Sequence, residues 1–477
     1  MKHMHVETAV QLLTVTSRLR SRNLQMPGDP HYQPAQLQPY LGYDQRAGWL
    51  VLVEWFWMQA LACGGVMPES HARLLTENLL RELLAKITMA KVAKLERAKT
   101  NHDILALLEL MRRILPSQLH RWLHLGLTSY DIICTAYALQ ARFAFFHIFR
   151  PKLVEVDILW RSRIRENADV LQIGRTHLQD ALPITVGAWL APLHNRFVNT
   201  ARRADTLACE IPGKFSGAVG TGAAIRVFGE GLESFALSIL GLPAPRLSTQ
   251  IVQPEGLERF YNEIMLISAV LANLGDDVRH LQASAIREVM SESSTSSTIS
   301  SKDANPIFAE QADGMHVSVR LAFMAVVETL NSTLQRDLRF SNVMRSFTEI
   351  IVLTYKQLQS AERVLKTLEV NKIRCQENFW RIGKLTAAEL LHLTLQKEGY
   401  PNAHRFVNKR IVPAARESGN YLCIEMGRFM RRSRNACLKQ IWRKTPGEIR
   451  YLLANPNEYI GDAVKIARAE AENALAA

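Results

Sequence analysis

The sequence predicts an all-α protein. Gly and Pro, which interrupt helices, contribute only 24 and 18 of 477 residues, about 9% of the chain where ~12% is usual. Leu, Ala, Arg, Glu and Gln, which have high helix propensity, are abundant. Apolar residues also recur at spacings of three and four, most clearly over 76–98, as expected for helices with one buried face.

The chain is long enough for about three domains at ~150 residues each. We expect an N-terminal helical domain over 1–126, a central helix bundle over 127–368 and a C-terminal domain of short helices over 369–477. Residues 1–47 contain several turn signals and are expected to be irregular.

The most hydrophobic stretch of the chain is Trp49–Met67. Glu54 and Gln59 lie in its middle, and the stretch is barely long enough to cross a bilayer. It therefore predicts a buried core helix rather than a membrane span.

Three loops are predicted in the central region: one rich in Gly at Gly213–Gly222, one at Gly241–Gly256 and one rich in Ser and Thr before Pro306. Asn305 suits an N-cap and Pro306 the first helical position, so a helix is predicted from Pro306. A polar loop beside a helix N-terminus can close over an anion, because unpaired N–H groups point outward there. An ordinary surface loop is the alternative.

The net charge of +13 and the pI of about 9.5 favour an anionic partner. The six cysteines form no Cys-x-x-Cys pair, so neither a zinc site nor a disulfide framework is predicted, and a reducing cytoplasm is expected. The start of the chain has no signal-peptide pattern. No membrane partner is expected.

Two further patterns, a Gly-rich run and a basic stretch, are weak signals for nucleotide or nucleic-acid binding. The run Gly217–Gly222 follows no predicted strand and lacks the Gly-x-Gly-x-x-Gly order, so a dinucleotide site is not predicted. The basic stretch 428–444 lacks aromatic interleaving, which favours a solvated helix face over a nucleic-acid interface. The expected partner is thus an anionic small molecule and not a nucleic acid.

Five separated segments together resemble the fumarase/aspartase superfamily of fumarate-releasing lyases. They occur in the order and rough spacing of that superfamily, and the resemblance covers about residues 45–370. The segments are Asn101–Leu107, His124–Ile132, Gly174–Gly187, Gly217–Gln250 and Ser297–Glu310.

The resemblance implies a three-domain fold with a central bundle of long helices. It implies a homotetramer in which these bundles form a twenty-helix core and each active site draws on three chains. It also implies that no metal or organic cofactor is needed.

The segment Leu334–Ser346 resembles the signature with which adenylosuccinate lyases bind the phosphate of their nucleotide. Arg336, Ser341 and Arg345 occupy the positions of its two arginines and serine. Ser341 and Arg345 share a helix face at i, i+4, and guanidinium groups suit phosphate through their fork of donors. A structural ion pair between Arg336 and Asp337 is the alternative.

Further substrate-binding positions follow from the resemblance. The match at the Asn-His-Asp segment implies that His102 and Asp103 bind the substrate, with His102 near its phosphate and its ring. Four residues match positions that donate hydrogen bonds to the succinyl carboxylates, namely Thr128, Ser129, Gln179 and Gln250.

The implied chemistry is β-elimination: a proton leaves the carbon beside a carboxylate, the C–N bond breaks and fumarate departs. The resemblance makes His177 the general acid that protonates the leaving nitrogen, since a histidine pKa lies near the working pH. A lone histidine is more often structural, but the surrounding Gly-Arg-Thr-His-Leu-Gln favours function here. Glu310 matches the glutamate that orients this histidine.

The Ser/Thr-rich loop matches the superfamily's catalytic loop. The resemblance makes Ser296 the base, Lys302 the cation that stabilises the anionic intermediate and Asn305 a carboxylate ligand. The loop has one residue more than the family pattern, so an alignment without a gap makes Ser297 the base and places Asp303 at the lysine position. We prefer the gapped alignment, because the site needs a cation and loops absorb insertions at small cost.

Other positions depart from adenylosuccinate lyases. Leu178 and Asp180 are typical of fumarases, Ala181–Leu193 is similar to carboxymuconate cycloisomerases, and an N-terminal phosphate-binding arginine is replaced in Asp29–Tyr32. We expect a divergent enzyme that cleaves adenylosuccinate to AMP and fumarate, with the succinylated imidazole-carboxamide ribotide as a second candidate substrate. The alternatives are a C–N lyase for another succinylated amine in specialised metabolism and a catalytically inactive homologue.

Overall fold

The computed structural model describes residues 4–17, 32–291, 305–336, 339–344 and 347–475. These residues are mostly helical, which confirms the all-α prediction. The α-helices are α1 Val6–Ser17, α2 Gln38–Leu41, α3 Arg46–Cys63, α4 Glu69–Ala72, α5 Glu77–Lys86, α6 Met89–Leu95, α7 Asp103–Arg112, α8 Ser129–Ala144, α9 Arg150–Glu166, α10 Val186–Glu210, α11 Ala223–Arg226, α12 Leu232–Ile239, α13 Glu255–Gln282, α14 Ile307–Val327, α15 Arg339–Val343, α16 Phe347–Thr367, α17 Lys372–Thr386, α18 Ala388–Lys397, α19 Ala403–Phe406, α20 Val412–Ser418, α21 Leu422–Arg432, α22 Ala436–Lys444, α23 Gly447–Ala454 and α24 Ala463–Ala471.

Long helices form the central bundle, in which α13 packs against α10, α14 and α16. The apolar positions of α13 recur at three and four residues and are buried, among them Phe260, Ile264 and Leu271. Gly275 allows close approach of α14, because a Cβ at this position would lie 2.5 Å from the carbonyl oxygen of Ala309.

The hydrophobic helix α3 is a core helix, as predicted. Its residues from Arg46 to Leu61 are buried, including Glu54 and three tryptophans. Within the described residues, one segment, Ser129–Glu166, is long and apolar enough to cross a membrane. The most apolar stretch of that segment is 78% buried inside the protein.

The sequence pattern predicts helices over 135–207 with an interruption at Ile173–Pro183, and a β-hairpin lies at this interruption. Strand β1 (Leu171–Thr176) pairs antiparallel with β2 (Gln179–Thr185). The two turn residues, His177 and Leu178, both have positive φ, 54° and 59°, as a two-residue type I′ turn requires. A second pair joins the short strands β3 (Val289–Met290) and β4 (Glu369–Val370).

Three boundaries differ from the expectations. Residues 6–17 form a helix instead of an irregular segment, because Ala9, Val10 and Leu13 pack into the main core. The helical pattern that starts at Leu257 predicts a helix to Val289, but α13 ends at Gln282 and the chain then turns into β3. Pro306 is the N-cap of α14 and not its first residue.

The C-terminal helices have a small hydrophobic core of their own, formed by buried residues between Ala387 and Leu453. The last helix, α24, returns to the central bundle and packs on α9 and α10. There the buried His194 ring bridges Asp157, at 2.8 Å, and Glu470, at 2.6 Å. The domain boundaries at 126 and 368 remain predictions.

Candidate active site

A polar cavity of about 310 Å³ lies where the N-termini of α7 and α8 meet α15. It brings together seven of the predicted substrate-binding residues, although they lie in four separate segments. These seven are His102, Asp103, Thr128, Ser129, Gln250, Arg336 and Ser341. Five further residues, which the sequence did not single out, complete the walls of the cavity. They are Arg46, Tyr130, Ile133, Tyr137 and Met344.

The N-terminus of α8 forms one wall. Thr128 is the N-cap and makes a capping box with Asp131, whose Oδ2 accepts the Thr128 N–H at 2.8 Å. The next side chain, Ser129, also lines the cavity. The positive end of the helix dipole therefore faces a cavity that offers hydroxyl groups to an anion.

His102 is fixed by a similar local device at the start of α7. Its Nδ1 accepts the Ile104 N–H at 3.2 Å, so the ring acts as the N-cap of the helix. In the neutral ring the proton is then on Nε2, which lies 3.4 Å from the Ser129 hydroxyl. The imidazole edge is thus held against the helix that carries Ser129.

Arg336, in the segment shortly before α15, also lines the cavity. Its guanidinium carbon lies 3.4 Å from the centroid of the Tyr130 ring, and its Nη1 donates to Gln250 Oε1 at 2.9 Å. Tyr130 in turn hydrogen-bonds with Ser341. Burial raises the pKa of Tyr130 even though Ser341 and Arg336 act to lower it, so the phenol remains neutral at physiological pH.

A second cation, Arg46, lines the cavity at the start of α3. Its side chain is 9% exposed and lies 3.7 Å from the Asp103 carboxylate, with the Tyr137 ring centroid 5.9 Å from its guanidinium carbon. The cavity therefore contains two arginines and one carboxylate. This excess of positive charge suits an anionic ligand.

Behind the cavity wall, Asp131 and Lys214 form a fully buried ion pair. The carboxylate of Asp131 also accepts the Ser216 N–H at 3.1 Å, and the Lys214 ammonium donates to the Gly217 carbonyl oxygen at 2.8 Å. This pair thus anchors the Gly-rich loop to the first turn of α8.

A second buried carboxylate supports the chain just before α8. Glu54, which is fully buried, contacts His124 Nδ1 at 2.5 Å and accepts the His124 N–H at 3.1 Å. Burial acts to lower the pKa of His124, but the hydrogen bond and the charge of Glu54 outweigh it and raise the pKa. His124 has a φ of 61°, a strained conformation that these contacts help to hold.

Cys134 lies in a smaller, largely apolar cavity adjoining Tyr130. Burial raises the pKa of its thiol to about 11, so the thiol remains protonated and is not a nucleophile at neutral pH. Among the described residues, no group of three or more His, Cys, Asp or Glu side chains is arranged to hold a metal ion.

The comparisons with known proteins agree with this architecture. The model of a family described as Lyase matches residues 51–321, more than half of the chain. The chain belongs to this lyase family, within the fumarase/aspartase superfamily.

Curated relatives match nearly the whole length of this lyase. It is 28% identical to the adenylosuccinate lyase of Pyrococcus abyssi over 459 residues, covering 92% of this chain and 96% of that protein. It is 27% identical to the adenylosuccinate lyase of Methanocaldococcus jannaschii over 456 residues, covering 92% and 94% of the two chains.

Solved structures share the fold. A fumarate lyase from Mesorhizobium sp. BNC1 superposes with a TM-score of 0.78 at 21% identity, covering 94% of this lyase and 99% of that chain. The 3-carboxy-cis,cis-muconate lactonizing enzyme from Pseudomonas putida gives a TM-score of 0.77 at 22% identity, with 93% and 98% coverage.

The other predicted residues of this lyase do not line the cavity. His177 and Gln179 are exposed at the tip of the β-hairpin, and Glu310 is exposed on the first turn of α14, just after Asn305. One chain alone therefore does not bring the predicted general acid into the cavity.

The hairpin that carries His177 is anchored at its base. Arg175 makes two hydrogen bonds to the fully buried Glu288, at 2.6 and 2.9 Å, and donates to Asp180 at 3.0 Å. Gln172 and Asn378 also donate to Glu288, each at 2.9 Å. The predicted general acid is thus exposed, but the hairpin that carries it is held at its base by hydrogen bonds to the buried Glu288 carboxylate.

Three predicted residues of the lyase lie outside the described residues, namely Ser296, Lys302 and Arg345. The competing positions Ser297 and Asp303, together with Asp337, lie outside them as well. Their roles therefore rest on the sequence resemblance.

Proposed function

We propose that this lyase cleaves the C–N bond of adenylosuccinate and releases AMP and fumarate. The succinylated imidazole-carboxamide ribotide is the second candidate substrate, because it carries the same phosphate and succinyl groups. The observation that supports this most directly is the cavity, which gathers seven residues that the sequence assigned to such a substrate. Relatives named adenylosuccinate lyase match over most of the chain.

The charges of the cavity fit the proposed substrate. A succinyl-nucleotide carries a phosphate and two carboxylates, and Arg46 and Arg336 supply two cations to the cavity. Thr128, Ser129 and Ser341 add hydroxyl donors. Since Gln250 and Tyr130 already hold Arg336, little side-chain entropy is lost when the anion binds.

In the proposed reaction, Ser296 removes a proton from the carbon beside a succinyl carboxylate. Lys302 stabilises the anionic intermediate electrostatically, and Asn305 binds a carboxylate. His177, oriented by Glu310, then gives a proton to the leaving nitrogen as the C–N bond breaks. The products are fumarate and AMP, whose amino group is the leaving nitrogen. No metal or organic cofactor takes part.

We further propose that the working enzyme is a homotetramer whose active sites combine residues from three chains. The position of His177 supports this, because it lies on an exposed hairpin and outside the cavity of its own chain. So does an apolar stripe on α14, where Val317, Leu321 and Met324 are 48%, 69% and 57% exposed. Such a stripe on a bundle helix is typical of an interface between subunits.

A cytoplasmic location is part of the same proposal. The six cysteines are all free thiols, which is typical of proteins in a reducing compartment. The proposed partner remains an anionic small molecule.

The test is an assay of fumarate release with purified protein. Adenylosuccinate, the succinylated imidazole-carboxamide ribotide and argininosuccinate are supplied separately, and ultraviolet absorbance follows the products. We expect turnover of the first two only. The His177→Ala variant should lose turnover and keep the oligomeric state of the wild type, measured by light scattering.

Each other outcome has a clear meaning. Turnover of argininosuccinate or of another non-phosphorylated succinyl-amine alone contradicts adenylosuccinate as the substrate and supports the alternative C–N lyase. An absence of turnover with every succinylated amine supports the inactive homologue. A monomer in light scattering, with full activity, contradicts the shared active site.

A further inference from the structure

The buried ion pair between Asp131 and Lys214 lies beneath the cavity and does not line it. Both side chains are 0% exposed. Removing two charges from water costs more than their attraction returns unless further hydrogen bonds satisfy them, so a buried pair is weak evidence for stability. This pair has such hydrogen bonds, and they connect it to chain segments beside the cavity.

The Asp131 carboxylate holds two chain segments at once. Its Oδ2 accepts the Thr128 N–H at 2.8 Å, while its Oδ1 accepts the Ser216 N–H at 3.1 Å and the Gly217 N–H at 3.2 Å. The N-terminus of α8, which faces the cavity, and the Gly-rich loop are thus joined at one carboxylate.

The Gly-rich loop then reaches the segment that carries Gln250. The Ser216 hydroxyl lies 2.5 Å from the Ser248 hydroxyl. Gly220, at a φ of 78°, packs so closely on Ser248 that a Cβ would lie 2.1 Å from its carbonyl oxygen. Two residues further on, Gln250 accepts the hydrogen bond from Arg336.

We infer that Asp131 and Lys214 are a positioning pair for the cavity. Asp131 places Thr128 directly, and through the Gly-rich loop the pair places Gln250 and hence Arg336. Lys214 neutralises the carboxylate so that it can remain buried. The cavity is thereby ordered before a ligand arrives, which lowers the entropic cost of binding. The kinetic consequence rests on the proposed function, but the ordering of the loops does not.

The test compares two double variants. Asp131→Asn with Lys214→Met removes both charges and leaves neither ion unpaired, which limits the loss of stability. The control, Lys152→Met with Glu362→Gln, removes another Lys–carboxylate pair, which has a 2.9 Å contact and joins α9 to α16 away from the cavity. Amide hydrogen exchange is measured for peptides that cover 213–222 and 248–250, and the KM and kcat for adenylosuccinate are measured in parallel.

We expect the first double variant to fold, with exchange in both peptides faster by about tenfold or more, the ratio for one lost hydrogen bond to a charged group. Its KM should rise by a similar factor. The control should keep the exchange rates of the wild type in these peptides. Exchange and KM unchanged in the first variant would overturn the inference.

A milder variant keeps the test decisive if the first one does not fold. Ser216→Ala leaves the ion pair intact and removes the contact with Ser248, so exchange should rise at 248–250 and not at α8. Unchanged exchange at 248–250 in that variant contradicts the link from the pair to Gln250. If the wild type does not turn over adenylosuccinate, the proposed function fails, while the exchange rates still decide the positioning role.

Discussion

Arg336 lies flat against Tyr130, with 3.4 Å between its guanidinium carbon and the ring centroid. The aromatic face orients the arginine without using any of its N–H donors, so Nη1 can donate to Gln250 Oε1. Tyr130 lies next to Ser129 at the start of α8. The stacked pair therefore joins the segment before α15 to the start of α8.

The first prediction concerns this stack. Tyr130→Leu removes the aromatic face and should raise the KM for adenylosuccinate by the equivalent of about 0.5–2 kcal/mol, the usual range for a cation–π contact. Tyr130→Phe keeps the face and loses only the hydrogen bond with Ser341, so it should change KM less. Steady-state kinetics of the two variants measures the difference, and a Leu variant with the KM of the wild type contradicts the role of the stack.

The second prediction concerns phosphate. Arg336→Ala should weaken AMP binding by about 1.5–3 kcal/mol, the usual cost of losing a hydrogen bond to a charged group, and Arg345→Ala should act similarly. Titration calorimetry with AMP measures the loss. Arg443→Ala, at an exposed position on α22, is the control and should bind AMP normally. Unchanged AMP affinity in both test variants contradicts the phosphate assignment.

Much of the cavity could be predicted because short motifs carry its residues. His102 and Thr128 lie in such motifs, and the fold brings them together in one cavity. Asp131 was missed, although the Thr-x-x-Asp pattern from Thr128 is a capping-box signal that identifies it. Arg46 and Lys214 have no comparable signal, because their partners are distant in the chain and are set by helix packing.

The hairpin shows a different limit of the sequence. Type I′ turns favour Asn or Gly at positions with positive φ, but His177 and Leu178 occupy them here. The local sequence therefore predicts a break and not a hairpin. Contacts that lie far along the chain, above all between Arg175 and Glu288, stabilise it instead.

The third prediction concerns the support of His177. Arg175→Met leaves the Glu288 carboxylate buried without its arginine and should destabilise the fold by about 3–5 kcal/mol. Adding Glu288→Gln removes the unpaired charge and should restore most of the melting temperature. Fumarate release should stay low in the double variant, because the hairpin loses its two-point anchor. Full activity in a well-folded double variant contradicts the view that this anchor positions His177 as the proposed general acid.

The fourth prediction concerns pH. The pKa of His124 is raised in the folded protein, because Glu54 outweighs the effect of burial. The stabilisation that protonated His124 gives to the fold is therefore fully present below pH 6.5, about the pKa of histidine in the unfolded chain. It is lost as the pH rises through the pKa of His124 in the folded protein. Glu54→Gln removes the cause and should cost about 1.5–3 kcal/mol at pH 6, as for a hydrogen bond between charged groups.

The difference in melting temperature between wild type and Glu54→Gln should thus be largest near pH 6 and shrink toward alkaline pH. Scanning calorimetry across pH 5.5–9 measures it. His316→Gln is the matched control, because burial lowers the pKa of His316, so its neutral form is the stable one. The difference between wild type and that variant should not shrink as pH rises. A Glu54→Gln difference that is constant or grows with pH contradicts a charged His124–Glu54 pair.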